Sequence, residues 1–427
     1  MLRAIRSDNF PPFGKFQLNL PPVENKPDNL AEVHLFTGVN GTGKTRLLSV
    51  LAAMLGNNEP ILKRVKGVER NILIGGNWIS FDESSVMGRV NEDGEFLIQA
   101  QATGWSGRVH RTIIDWTQQP AFAYNGTAYI ADSPIAAMAE LRKPNRQECL
   151  SFIRPEAWSQ PLLQAITNLK LQSAMDSMSD LSGGALTRSS RIIGAIETTL
   201  GEITGFKFRF QVTSYPNVSI GVFWGNRTLP LNLLPDGLRS IIGWLAHAVV
   251  MMDTWLQGKS EPLETEAVFL LDEIESHLHP AWQRKILPAF QHLFPKAQIF
   301  IATHSPFVIS SLNHGWIHQL TMESDGSVTV EQPKAASAGE SYISVIEDIM
   351  GVKEWYDPES EKLLAKFREL RDAAYHGDVE SQAKARGLAT EIGKRSMELD
   401  YLMGKELRQM EHQLSKQNGK NEEVHQA

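Results

Sequence analysis

A chain of 427 residues with 42% apolar and 21% charged side chains can build a sizeable core and is too hydrophobic for wholesale disorder; the length suits two or three compact units, or one large domain with an insertion. Its net charge of −7 argues against a protein coated in nucleic acid by bulk electrostatics, but leaves room for a local basic groove. The lone Cys149 excludes an internal disulfide and fits a reducing, cytoplasmic setting, and no apolar run long enough to span a bilayer is present. Met1 to Arg6 runs into Asp8 and Pro11-Pro12, not an apolar leader, so the reading is a soluble, unprocessed chain.

Residues 2 to 20 alternate loosely and are cut by Pro11, Pro12 and Gly14, which predicts two short strands about a turn. Residues 33 to 37 read as a buried strand and 45 to 55 as a helix buried over most of its surface. Between them, Gly38-Val39-Asn40-Gly41-Thr42-Gly43-Lys44-Thr45 matches G-x-x-x-x-G-K-[ST]. In a strand–turn–helix setting such glycines let backbone N–H groups and the helix N-terminus face phosphates. Lys44 is then expected on the β- and γ-phosphates of ATP, and the Thr45 hydroxyl on Mg²⁺.

From about 56 to 205 the pattern is less orderly and reads as an insertion. Strand-like pieces fall at 71–80, 95–103 and 111–116, followed by helices at 134–141, capped by Ser133, and at 161–178. Residues 206–212 and 218–224 predict a hairpin, with its turn at 214–217. An apolar helix at 237–252 precedes the strongest buried strand, 267–271; a helix at 281–293 and a strand at 298–302 follow. The head should occupy residues 1–330 and a helical region 331–427. In that region residues 358–374 place Leu363, Leu364, Phe367, Leu370 and Ala374 on one side of a helix. A second helical stretch, 380–413, carries Leu388, Ile392, Leu399, Leu402, Leu407 and Met410. This region reads equally as a hairpin packed on the head and as an oligomerisation or partner-binding module.

Two further segments carry chemistry. Asp272-Glu273 ends the 267–271 strand, where an acid pair suits a magnesium-linked Asp272 and a general base, Glu273, that orients water. His304, in Thr303-His304-Ser305-Pro306, closes a third strand, where a neutral imidazole can donate to a γ-phosphate. The three segments together, with Asp272-Glu273-Ile274-Glu275-Ser276-His277-Leu278-His279-Pro280, resemble the ABC ATPase heads of SMC, RecF and OLD-like proteins. The resemblance implies an α/β P-loop NTPase fold: a mixed sheet of the ABC/SMC-head type, an antiparallel subdomain, a helical lobe and a helical C-terminal extension. It places the D-loop after Glu273 and the histidine switch at His304, and it uses the H-x-H-P stretch at His277 and His279 without a metal.

Such heads also need a signature segment that completes the site of the opposite subunit. Leu181-Ser182-Gly183-Gly184 spells it but lies about ninety residues before Asp272. Leu234-Pro235-Asp236-Gly237-Leu238-Arg239-Ser240 opens the long apolar helix and is preferred on architecture, with Pro235, Asp236 and Gly237 facing the partner's nucleotide. Pro235 stands where a serine normally meets the γ-phosphate, so slow hydrolysis is expected. The Q-loop falls near Phe122 to Gly126, with Gln118 and Gln119 left unassigned. Basic clusters at 63–70, 142–146 and at Arg188 and Arg191 read first as solvated faces and second as DNA contacts.

Compact size and a short tail resemble the ATPase subunit of two-gene phage-defence systems of the Septu kind, with the PARIS kind a rival. The resemblance implies a head-to-tail homodimer, or a higher oligomer of dimers, around ATP and Mg²⁺, and a separate nuclease chain of the HNH or Toprim type. The tail is too short and too helical to hold a Toprim domain. A self-contained DNA-repair or DNA-binding ATPase of the RecF or SMC type is the alternative. The uncertain Q-loop, the large insertion and Pro235 speak against a transporter subunit.

Overall fold

The computed structural model describes residues 1–7, 13, 16–55, 77–81, 85–90, 96–101, 119–126, 133, 135–136, 139–141, 143, 145–152, 155–178, 187–213, 217–224, 226–336, 339 and 341–425. They form two compact units, Met1–Met350 and Gly351–Ala427. The division falls after Met350, not near 330, because residues 342–349 belong to the first unit. Tyr342 packs on Phe307 at 5.3 Å between ring centroids, and Val345 and Ile349 are buried in the same core as Val308 and Ile317.

β1 (Leu2–Ser7) and β2 (Phe16–Asn19) form the antiparallel pair expected for residues 2 to 20. β3 (Glu32–Gly38) runs into helix α1 (Lys44–Met54). Then β4 (Asn77–Phe81), β5 (Ser85–Val90) and β6 (Phe96–Gln101) extend the first pair into a five-stranded sheet, β2-β1-β4-β5-β6. After β7 (Ala121–Asn125) come helices α2 (Pro155–Met178) and α3 (Arg188–Thr204). β8 (Phe208–Thr213) and β9 (Ser219–Trp224) make the expected hairpin, and β10 (Arg227–Pro230) adds a third strand to it. α4 joins an α-helical turn Asp236–Ile241, a π-helical stretch Ile242–Ala246 and His247–Leu256. β11 (Val268–Asp272), α5 (Pro280–Leu293), β12 (Gln298–Ala302), β13 (Trp316–Met322), β14 (Val328–Val330) and β15 (Lys334–Ala335) complete the unit.

The main sheet has the order β14-β13-β3-β12-β11-β7, with β15 also on β13. β13, β3, β12, β11 and β7 run parallel, so their C-terminal ends share one edge. Parallel sheets need cover on both faces, and here the period-two alternation supplies it. Phe36, Leu270 and Phe300 face Leu47, Leu48 and Leu51 of α1. Leu35, Phe269, Leu271 and Ile299 face Trp244 of α4 and Phe290 of α5.

Two expectations for the helices before α3 also differ from the structure. The described residues among 133–141 form no helix. Side-chain amides of α2 satisfy their backbone instead: Gln164 accepts from the Ala136 N–H at 2.8 Å and donates to its carbonyl at 2.9 Å, and Asn168 donates to the Ala139 carbonyl at 2.7 Å. α2 begins at Pro155, which suits a first helical position, so Pro161 lies within the helix. The piece at 111–116, Gln118, Leu181 to Gly184, the cluster at 63–70, Arg142 and Ser214 to Pro216 lie outside the described residues.

At the foot of the sheet a buried polar chain ties β1 to β3, β12 and β13. Arg3 and Gln298 donate to the Glu32 carboxylate at 2.8 and 2.6 Å. His34 Nε2 lies 3.1 Å from the same carboxylate, and His34 Nδ1 lies 3.1 Å from His318 Nε2. Burial holds both imidazoles below the usual histidine range, with the neighbouring ring adding to the effect on His318. The unfolded chain therefore takes up protons at about pH 6.5 that the folded chain refuses. Each imidazole held neutral should lower stability as pH falls below that value, by at most about 1.4 kcal/mol per pH unit. Thermal unfolding between pH 7.5 and 5 should show this decline; a flat melting temperature would contradict it.

The second unit is a helical bundle of α6 (Pro358–Tyr375), α7 (Val379–Gly393) and α8 (Met397–His425). Asp357 and Asp378 cap α6 and α7 through their carboxylates. Leu364, Phe367, Ile392, Leu399 and Met410 share its buried core. The stretch expected over 380–413 is thus two helices, parted after Gly393.

Candidate nucleotide-binding site

Four parallel strands deliver the site from one edge, where open α/β sheets bind ligands. Register aligns Ala302 with Phe36, Asp272 with Ala302, and Asn125 with Asp272. The residues that follow these strand ends therefore face a common space.

Gly38 sits at φ 148°, and a Cβ there would lie 2.2 Å from the Leu320 carbonyl, so only glycine lets β3 leave the sheet beside β13. Gly41 and Gly43 also hold positive φ, curling the loop into the first turn of α1. Thr42 is fully buried and closes the loop on itself, its hydroxyl donating to the Val39 carbonyl at 2.9 Å. Lys44, 5% exposed, donates across the loop to the Gly38 and Val39 carbonyls at 2.8 and 3.1 Å. Burial pushes its amine down to about 8, with Glu273, Asp272 and Glu275 pulling the other way.

Thr45 donates its hydroxyl to Asp272 Oδ1 at 3.0 Å, joining segments 227 residues apart in sequence. Asn125 Nδ2 lies 3.5 Å from the other oxygen, Oδ2. Glu273 leaves β11 at φ 51°, with its N–H held by the Ala302 carbonyl at 2.9 Å. His304 is half-buried, and burial and the Lys44 charge keep its imidazole below the ordinary histidine range despite Glu273. A cavity of about 520 Å³ is lined by Asn40, Gly41, Gly43, Lys44, Thr45, Arg46, Glu273 and His304. A neighbouring cavity of about 500 Å³ shares Asn40, Glu273 and His304 with it and reaches Glu275, Gln283 and Ser305.

The structure thus gathers Asn40, Gly41, Gly43, Lys44, Thr45, Asp272, Glu273 and His304 in one place. Gly38 and Thr42 shape the loop from behind. Pro235, Asp236 and Gly237 do not line either cavity. Pro235 and Asp236 are exposed, while Gly237 is pressed on the D-loop, where a Cβ would meet the His277 carbonyl at 2.6 Å. His279 caps α5 by accepting the Ala281 N–H at 3.2 Å, and no metal-binding group of three or more His, Cys, Asp or Glu exists among the described residues. Gln119 precedes β7, at the end of the sheet remote from Asp272.

Sequence reasoning missed Arg46 and Glu275 and placed Asn125 and Gly126 only within the Q-loop stretch, without their contacts to Asp272 and Glu273. Asn125 has a readable signal: it ends an apolar strand directly before a glycine, as Asp272 ends another strand. Gly126 is required because a Cβ would lie 2.1 Å from the Glu273 carbonyl, and its own carbonyl accepts from the Ser240 hydroxyl of α4 at 2.8 Å.

This fold and site resemble those of ABC-type ATPase heads, a nucleotide-binding class. A family model described as "AAA domain, putative AbiEii toxin, Type IV TA system" matches residues 163–310. Among curated proteins, the chain is similar to the Septu protein PtuA of Bacillus thuringiensis, 26% identical over 38% of this chain and 43% of that one. PtuA of Bacillus mycoides is 24% identical over 71% of this chain and 38% of its own length. A retron Vc95 probable ATPase of Vibrio cholerae is 25% identical over 45% of this chain and 36% of its own. The matched segments span less than half of each of these relatives. No helix among the described residues is long and apolar enough to cross a membrane.

Proposed function

We propose that this chain binds and hydrolyses ATP as the switch subunit of a defence complex, two copies closing head to tail and governing a separate nuclease. The Thr45–Asp272 contact, made at 3.0 Å beside Glu273 and His304, carries the nucleotide part of this reading. The similarity to PtuA and to a retron ATPase supports the defence part.

In the proposed chemistry the glycine loop and the N-terminus of α1 hold the triphosphate, and the Lys44 ammonium faces the β- and γ-phosphates. Glu273 holds the attacking water and takes its proton. His304, neutral at pH 7, donates to the γ-phosphate from the wall of the same cavity. The hydroxyl of Thr45 and the carboxylate of Asp272 are hard oxygen donors within one ligand's reach, a set that fits magnesium. The ion would neutralise charge on the bridging phosphate oxygens. The partner copy would bring its Pro235, Asp236 and Gly237 to the exposed rim at Asn40 and Gly41. With Pro235 in place of a hydroxyl, the Gly237 N–H and the helix N-terminus would serve there instead, which favours slow turnover.

Light scattering tests the assembly. Glu273→Gln with ATP and Mg²⁺ should double in mass, and adding Asp236→Arg to it should prevent this without loss of ATP binding. A mass unchanged by ATP would contradict the closing dimer. Cells carrying the chain with its neighbouring reading frames should lose protection against phage with Lys44→Ala. Tight, salt-sensitive DNA binding by the isolated chain without such protection would favour a repair ATPase.

A further inference from the structure

Glu275 lies two residues beyond Glu273 in a segment whose backbone is held in unusual conformations, φ 51° at Glu273 and φ 64° at His277. Its side chain turns inward and is 8% exposed as a residue. One oxygen, Oε1, accepts both the Thr303 hydroxyl and the His304 N–H, the latter at 3.1 Å. The other, Oε2, is buried with no hydrogen-bond partner among the described residues. Burial raises this carboxyl, against the Thr303 and backbone hydrogen bonds.

A second bridge runs beside the first. Gln283 of α5 donates to the Leu278 carbonyl at 2.9 Å and accepts from the Ser305 hydroxyl at 2.6 Å. The Thr303 hydroxyl in turn accepts the Ser305 N–H at 3.0 Å. Two links, a buried one through Glu275 and a part-buried one through Gln283, therefore join the segment after Glu273 to the loop that carries His304, and both pass through the wall of the second cavity. Removing a buried acceptor leaves its donors unpaired where water does not replace it.

We propose that Glu275 is a positioning residue, whose carboxyl clamps the His304 loop to the segment following Glu273 so that imidazole and base hold one geometry across the nucleotide cavity. The inference rests on the hydrolysis reading above. In an assembled dimer, any shift of the 274–279 segment reaches His304 through this clamp, because the His304 backbone N–H is one of its two donors.

Steady-state ATP turnover and histidine-selective NMR test the proposal on the full-length protein. Glu275→Ala should lower kcat on the order of ten- to a hundredfold, the scale of an ångström-sized misplacement, with KM changed less than about threefold. Glu275→Gln keeps an acceptor oxygen for both donors and should recover kcat to within about threefold of wild type. The His304 imidazole signal, assigned by its loss in His304→Gln, should move in Glu275→Ala and return in Glu275→Gln. Wild-type kcat in Glu275→Ala would overturn the proposal. So would equal losses in both variants accompanied by equal drops in melting temperature, which mark a purely structural carboxyl. Wild-type turnover no greater than that of Lys44→Ala would remove the hydrolysis reading instead, and the imidazole signal would then decide the clamp alone.

Discussion

Glu273→Gln should lower kcat by about two to three orders of magnitude while ATP affinity changes only a few-fold. The substitution keeps size and hydrogen-bonding reach but removes the ability to take a proton. Glu273 is held in one place by its surroundings. Its backbone is strained at φ 51°, its N–H is fixed on Ala302, and Gly126 packs so closely that no side chain fits between them. Rapid-quench measurement of a single turnover separates chemistry from product release. Unchanged single-turnover rates would remove Glu273 from the proposed role.

The second large effect is on binding. Lys44→Ala should weaken ATP affinity at least about a hundredfold, roughly 2.7 kcal/mol, because it would remove the buried cation proposed to face two phosphates. The same lysine predicts a pH dependence. Burial holds the free amine at about 8, whereas a bound triphosphate would keep it protonated to higher pH. Affinity should therefore be level below about pH 8 and fall up to tenfold per unit above it.

Much of this site was legible because it is local in sequence. The glycine loop, Asp272-Glu273 and His304 each sit where an apolar strand stops, and a run of buried residues announces its own end. β12 and α5 were likewise readable from unbroken patterning. What escaped depends on contacts between distant segments. Gln164 and Asn168 bind the backbone of Ala136 and Ala139, so the helix-like composition there was overridden. Glu275 looked like an ordinary acid of the D-loop, and nothing local reveals that its partner is Thr303, 28 residues on. Asn125 gained meaning only when register set it beside Asp272. The tail carried its apolar spacing plainly, but its break after Gly393 did not interrupt that spacing.

The claim beneath all of this is that residues 38–45, 272–273 and 304 surround one triphosphate. Calorimetric titration of ATP with Mg²⁺ into wild type and Lys44→Ala at pH 7 tests it most directly. Saturable binding at one site per chain in wild type, lost or weakened at least about a hundredfold in the variant, is the predicted result. Equal affinity in the two proteins would contradict the account.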